Sequence, residues 1–207
     1  MDTRLPPYAR WAGILYLVTH VTSVSALVVY GDATDPLGVR VGVVLEFTLA
    51  LGCLGTGILL FAVLRAYGPA RAQTFALLRA VEAAVIIAGA LPMVVVAAHG
   101  PEDAALVDLH AAAFLLGQGF IIAVNTIVLA SLLRASGLVP RALPFLGVAG
   151  GAIVLLSDLG QLFALVPPRG VVAALAALPI FAFEIWLAIT LIVGVRPRTP
   201  LRSTRTA

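Results

Sequence analysis

Six apolar runs, each long enough to cross a lipid bilayer, constrain this chain more than any other feature. They lie at residues 11–30, 41–64, 75–98, 109–133, 142–167 and 171–195. A transmembrane helix needs about 20 consecutive apolar residues, and each run is apolar around most of its circumference, as lipid-facing helices are. Stretches rich in Gly, Pro and acidic residues, such as HGPEDA and VPPRG, separate the runs. We therefore predict an all-α fold, a polytopic membrane bundle of six transmembrane helices.

The composition excludes an ordinary soluble fold. The chain has 207 residues, of which 61% are hydrophobic and 11% charged, whereas soluble domains are about 45–50% apolar and about 25% charged. We predict one transmembrane domain over residues 1–195 and a basic, disordered cytoplasmic tail over residues 196–207. The first helix is expected to be retained rather than cleaved as a signal peptide, because the run is long and five more spans follow it.

The placement of Arg predicts the orientation of the bundle. Cytoplasmic flanks of membrane helices carry an excess of basic residues. Alternate flanks of the six runs, together with Arg79 just inside the third run, hold 11 Arg on the side of both termini, and two, Arg40 and Arg169, lie on the other side. The acidic segment around Glu102 and Asp103 also falls on that second side. We expect a protein of the bacterial cytoplasmic membrane with its N- and C-termini in the cytoplasm.

Several classes of function have no support in the sequence. The net charge of +3 comes from Arg residues that flank apolar runs, with no basic stripe, so no nucleic-acid partner is expected. The single cysteine, Cys53, permits no intramolecular disulfide, and no metal-binding or phosphate-binding motif occurs. His20 and His110 lie at different predicted depths, so a haem between them is not expected. We predict no metal and no cofactor.

Three polar residues fall in the third of the bundle nearest the cytoplasm: Arg79, Glu82 and Asn125. Arg79 and Glu82 are three residues apart, so they share a helix face and can pair. One reading has Arg79 extend toward the cytoplasmic interface in an ion pair that pins the third span. The other reading has the pair form part of a functional site or bridge to another helix.

Near the predicted middle of the membrane lie His20, Gln118 and Glu184. Glu184 has no charged neighbour in sequence, so desolvation favours its neutral, protonated form. It could instead meet Arg79 across the bundle, if that side chain reaches inward. Helix packing and a functional role remain open for Glu184.

The outer half of the predicted bundle carries Glu46, His110, Asp158 and Gln161. His110, Gln118 and Asn125 fall within an arc of about 80° on a regular helix at about 100° per residue, which predicts one polar stripe along the fourth span. Together with Glu46 and Asp158, this stripe is expected to line one cavity open to the outer side. His110 could alternatively be solvated beside the acidic segment.

Four segments give the chain a family resemblance. They read YARWAGILYL, ALLRAVEAAVI, LVPRALPFLGVAGG and FAFEIWLAITLIVGVRP. In these segments the chain resembles the bacterial integral-membrane family called "domain of unknown function 4386". The resemblance extends over nearly the whole chain and implies a compact multi-span bundle without an assigned activity. Arg79, Glu82 and Glu184 match recurrent polar positions of the family, so the resemblance favours these three residues as site residues.

The buried ionisable residues suggest three hypotheses. In the first, the protein is an intramembrane enzyme or binder of a hydrophobic isoprenoid or lipid molecule, with Glu46, Asp158 and Glu184 as proton donors. Its binding residues would be His20, Arg79, Glu82, His110, Gln118, Asn125 and Gln161. In the second, the protein is a small proton-coupled transporter; in the third, it is a non-catalytic membrane subunit. The sequence leaves enzymatic activity and oligomeric state open.

Overall fold

The computed structural model describes residues 7–31, 33–100, 104–168 and 170–194. Within these ranges the chain is almost entirely helical. The helices are α1 (Pro7–Tyr30), α2 (Pro36–Leu64), α3 (Pro69–His99), α4 (Ala104–Phe114), α5 (Ile122–Ser136), α6 (Ala142–Leu162) and α7 (Val171–Val193). A 3₁₀ turn, Arg65–Tyr67, follows α2. A π-helical stretch, Leu115–Ile121, joins α4 to α5 and is called the π segment below.

Six helical stretches are long and apolar enough to span a membrane, because α4, the π segment and α5 form one continuous span. The prediction of a six-helix, all-α membrane bundle is confirmed. The predicted ends were wrong by several residues: the third span begins at Pro69 and the fifth ends at Leu162. The fifth span stops early because Ala164 takes a left-handed conformation, with φ of 57°, which a right-handed helix does not continue.

Local sequence explains the starts of two spans. Asp35 caps α2 by accepting hydrogen bonds from the backbone N–H groups of Leu37 and Gly38, and Pro36 occupies the first helical position. Pro69 occupies the same position in α3. Proline suits that position because the first N–H groups of a helix have no partner within it. The short connections then return each span beside the one before it.

The spans form a closed ring in chain order. Each packs against the preceding one, and α7 returns to α1. Gly13 permits the closing contact: a Cβ added there would lie 2.6 Å from the backbone carbonyl oxygen of Ala188. Small residues are common where membrane helices approach closely. The polar residues that point into the bundle therefore share one interior.

The two ends of the ring differ in packing. At the end where α1 begins and α7 finishes, a large apolar cluster joins residues of every span, from Ala9 to Leu191. Arg10, Arg65, Arg71 and Arg134 lie at this end, which we call the Arg-rich end. At the opposite end, the buried apolar cluster from Ala26 to Ala97 draws its buried members from α1, α2 and α3 and the turn after α1. No residue of α7 before Ile180 is buried, so the bundle is looser there.

The Gly13 contact gives a test of the ring. We expect Gly13→Ala to destabilise the protein by about 1–3 kcal/mol, the usual cost of overpacking, because the added methyl group meets rigid backbone. Gly55→Ala is the matched control, since its added Cβ would meet the mobile end of the Leu15 side chain. Thermal unfolding in detergent measures both. Equal melting temperatures for the two variants would contradict the closed ring.

Candidate functional site

A cavity of about 140 Å³ lies inside the ring. Every span contributes to its wall. Its polar and ionisable lining residues are Thr19, His20, Ser23, Cys53, Arg79, Glu82, Gln118 and Glu184. Its apolar lining residues are Leu49, Phe114, Ile122, Val154, Ala177, Ile180 and Phe181. The large apolar cluster packs the Arg-rich end of the bundle, and the looser end of α7 contributes Ala177.

Arg79 and Glu82 form an ion pair in the cavity wall, in which one guanidinium nitrogen contacts both carboxylate oxygens. Nη1 of Arg79 donates to both carboxylate oxygens of Glu82, at 3.1 and 3.0 Å. Asn125 donates a further hydrogen bond of 2.5 Å to Glu82. The carboxylate thus receives three hydrogen bonds from charged and amide donors, which is the arrangement that allows a charged pair to be buried.

The rest of the Arg79 guanidinium is bound by α2. Nε and Nη2 donate to the hydroxyl oxygen of Thr56 at 3.1 and 2.9 Å, and Nε also donates to the Cys53 carbonyl at 3.3 Å. The ring of Tyr16 lies 5.4 Å from the guanidinium carbon, within cation–π range. Three spans, α1, α2 and α3, therefore meet at this cation, and Asn125 adds a fourth through Glu82.

The alternative in which Arg79 extends to the interface is wrong. The Arg79 side chain is 2% exposed and its guanidinium turns inward. The physical reason is supplied by α2: Gly57 has no side chain, and a Cβ there would lie 2.9 Å from Cβ of Arg79. The two helices come close enough for the guanidinium to reach Thr56.

His20 faces Glu184 across the contact between α1 and α7. Nδ1 of His20 lies 3.0 Å from the carbonyl oxygen of Tyr16. A carbonyl oxygen only accepts, so Nδ1 carries the hydrogen. Nε2 then faces the Glu184 carboxylate at 3.5 Å, an ion-pair distance without a well-formed hydrogen bond. One proton placed between Nε2 of His20 and the Glu184 carboxylate gives each of them a hydrogen-bond partner.

Gln118 reaches the cavity from the π segment and accepts a 2.8 Å hydrogen bond from the Ser23 hydroxyl. A π-helical turn is wider than an α-helical one. Side chains on either side of it therefore do not share the face that a regular α-helix would give them. The predicted single stripe on the fourth span is therefore divided: Gln118 lines the cavity, whereas Asn125 binds Glu82 and His110 binds elsewhere. Sequence periodicity assumed a regular helix and could not show this shift.

A second group of polar residues lies outside the cavity and surrounds Glu46. The Tyr30 hydroxyl donates to Glu46 at 2.8 Å, and Nε2 of His110 lies 3.6 Å from the other carboxylate oxygen. Nδ1 of His110 is 2.9 Å from the Gly89 carbonyl oxygen. His110 is buried, so the alternative of a solvated His110 is wrong.

Asp158 forms a third group with Gln161. The Gln161 amide donates to one carboxylate oxygen at 2.9 Å, and the other oxygen has no hydrogen-bond partner within the described residues. A Cβ on Gly119 would lie 2.6 Å from that oxygen, so the carboxylate packs against the π segment. Glu46, His110, Asp158, Gln161 and Asn125 do not line the cavity, and the expectation of one shared cavity at Glu46 and Asp158 is wrong.

The polar contributors that sequence reasoning missed include Tyr16, Tyr30, Cys53 and Thr56. Cys53 and Thr56 had a usable signal, because they lie three apart on one helix face beside Gly57. Tyr16 and Tyr30 had none, since tyrosines in such chains usually mark the membrane interface. In this structure both are buried and contact charged groups.

The fold and the polar interior define a multi-pass membrane protein with ionisable residues buried between its spans. The family model described as "Domain of unknown function (DUF4386)" matches residues 11–194, and the chain belongs to this family. No curated protein and no solved structure matches the chain.

The buried ion pair gives an asymmetric prediction. We expect Glu82→Leu to destabilise the protein by about 3–5 kcal/mol, because it leaves a buried cation without a counter-charge. Arg79→Leu should cost less, since a carboxyl group can be neutralised by a proton and an arginine side chain cannot lose one. Unfolding in detergent compares both variants with the double variant, whose cost should be below the sum. Equal costs for the two single variants would contradict this account.

Proposed function

We propose that this protein binds a small amphipathic or hydrophobic molecule in the central cavity, with the molecule's polar end against His20, Glu184 and Arg79. The single observation that supports this most is the composition of the cavity wall. It combines charged and hydrogen-bonding side chains with aromatic and aliphatic ones. Ligand sites commonly combine a mainly apolar lining with a few placed polar groups.

The size of the cavity limits what enters it. A volume of 140 Å³ is close to that of a buried cavity known to take one benzene-sized molecule, about 150 Å³. A whole isoprenoid or phospholipid is far larger. We propose that one end of such a molecule enters, while the remainder extends between the helices toward lipid at the loosely packed end.

The His20–Glu184 pair supplies acid–base chemistry for such a ligand. In the proposed reaction, the proton that Glu184 shares with His20 passes to a double bond or oxygen of the ligand. This leaves a carboxylate that faces the lone pair of His20 Nε2 and is therefore a strong base. Return of a proton from a neighbouring position restores Glu184, so the net change is an isomerisation or cyclisation without an oxidant. Among the three carboxylates first considered as acids, Glu184 alone lines the cavity.

The location of the protein belongs to the same proposal. We propose a single domain in the bacterial cytoplasmic membrane with both termini in the cytoplasm. Arg10, Arg65, Arg71, Arg134 and Arg141 lie at one end of the ring, which agrees with the orientation rule. Arg79, which was counted with them, is buried inside the bundle. Arg4, Arg169 and the segment from residue 196 lie outside the described residues.

The binding proposal is tested by small molecules retained during purification in mild detergent. We expect mass spectrometry to find a specific amphipathic or hydrophobic molecule with the wild-type protein and about tenfold less with Glu184→Gln, because one charge-assisted contact of about 1.4 kcal/mol is lost. Asp158→Asn is the matched control, as this buried carboxylate lies outside the cavity. Only bulk lipid in all three samples would overturn the proposal.

A proton-coupled carrier is a second candidate. The observation in its favour is that two histidine–glutamate pairs, His20–Glu184 and His110–Glu46, occur at different levels of one bundle. Intramembrane pairs of this kind serve proton transfer in transporters. In proteoliposomes a carrier would move solute or protons with a pH gradient, and Glu184→Gln would abolish the flux. Retention of a ligand without any flux would favour the enzyme or binder.

A further inference from the structure

The group around Glu46 is not used by the proposed function and has a structure of its own. It draws one residue from each of four helices: Tyr30 from α1, Glu46 from α2, Gly89 from α3 and His110 from α4. Glu46 and His110 are both buried. An apolar layer that includes Leu49, Ala83 and Ile86 packs around Cys53. Glu46 and Cys53 are seven residues apart, about 10 Å along α2, so the group is distinct from the cavity.

The hydrogen-bonding capacity of this group requires one exchangeable proton. The Gly89 carbonyl oxygen fixes the hydrogen of His110 on Nδ1, so Nε2 carries either a lone pair or a second hydrogen. Without that hydrogen, a lone pair faces an oxygen of Glu46, which accepts from the Tyr30 hydroxyl through its other oxygen. One proton, on either Nε2 or the carboxyl group, allows the two groups to form a hydrogen bond instead of repelling each other.

The ionisable groups that face this site within the described residues are few. Tyr30 faces it from α1, Glu46 belongs to α2, and His110 belongs to α4. From α3 the site meets the neutral backbone carbonyl of Gly89. Arg40, six residues before Glu46 on α2, donates to the Ala97 carbonyl at 3.2 Å. Tyr30 donates its hydrogen to Glu46, so the exchangeable proton belongs to Glu46 and His110.

This group makes the buried polar contact of α4, whose Leu106 and Val107 also pack, partly buried, against the apolar cluster from Ala26 to Ala97. His110 is the only buried residue among Ala104–Phe114. Phe114 lies one turn later on the same helix and lines the cavity, and the π segment with Gln118 follows directly. A change in how α4 is held therefore moves part of the cavity wall.

We propose that Glu46 and His110 form a proton-binding site separate from the cavity, whose occupancy holds α4 against α2 and so limits access to the cavity. With the proton bound, the pair joins the two helices. As pH rises the proton leaves, a carboxylate remains buried opposite a lone pair, and α4 loosens. Access to the cavity then depends on pH. Because the proposed ligand binds in that cavity, its binding depends on pH as well.

Cys53 provides a reporter that needs no ligand. It is the single cysteine of the chain, and it lines the cavity. We would measure its modification by methyl methanethiosulfonate in the full-length protein in detergent from about pH 5 to pH 9. This range covers the interval of about pH 5 to 8 in which an unperturbed histidine changes its charge. Because the reactive thiolate also increases with pH, each wild-type rate is divided by the rate for Glu46→Gln at the same pH.

Glu46→Gln is expected to keep α4 in place at every pH, because the glutamine amide can donate to Nε2 of neutral His110 and still accept from Tyr30. The ratio of the wild-type modification rate to the variant rate should rise by about fivefold across the pH range. The reason is that local opening of the wild-type protein becomes easier when one buried contact is lost. Asp158→Asn, a buried carboxylate in another group, should retain the wild-type profile. A ratio that stays constant across the pH range would overturn the proposal.

A second measurement uses the wild-type protein alone, in case Glu46→Gln does not fold. Hydrogen–deuterium exchange, corrected for the intrinsic effect of pH, should show residues 104–114 losing protection with pH while residues 122–136 keep theirs. Equal changes in the two segments would contradict the proposal. Neither measurement depends on a bound molecule, so failure here is distinguishable from failure of the proposed binding function.

Discussion

The buried charge of Arg79 imposes the main constraint on this bundle. An arginine side chain stays charged in any accessible environment, and a charge surrounded by lipid-facing helices is costly unless polar groups surround it. Here Glu82 supplies the counter-charge, Thr56 and the Cys53 carbonyl accept its remaining hydrogen bonds, and the Tyr16 ring covers one face. These requirements bring α1, α2 and α3 together, and Asn125 adds α5 through Glu82. The polar cavity lies beside this arrangement.

His20 and His110 have the same arrangement in different parts of the bundle. Each has Nδ1 fixed by a backbone carbonyl, and each directs Nε2 toward a glutamate on another helix. Fixing one ring nitrogen determines the role of the other. The pair at His20 belongs to the cavity, where a ligand could compete for the proton. The pair at His110 is enclosed by packed helices, so its proton affects how those helices hold together.

Much of the fold could be predicted from the sequence, because lipid-spanning helices must satisfy their own backbone hydrogen bonds and therefore appear as long apolar runs. The ion pair of Arg79 and Glu82 was also accessible, since residues three apart on a helix are neighbours. The contact of Asp158 with Gln161 has the same spacing. The partners of His20 and Glu46 were not accessible, because contacts between helices depend on rotation and approach rather than on spacing. The π segment shows this best: its wider turn separates the environments of His110, Gln118 and Asn125.

The sequence by itself determined that six helices span a membrane and that a small set of ionisable side chains lies within them, since both follow from hydrophobicity and helical periodicity. Only the tertiary structure decided that Arg79 turns inward, that Glu184 rather than Glu46 or Asp158 lines the cavity, and that His110 is buried against Glu46. The physical reason is close helix packing. The glycines at positions 13, 57 and 119 set how near neighbouring helices approach, and that distance selects the polar groups that meet.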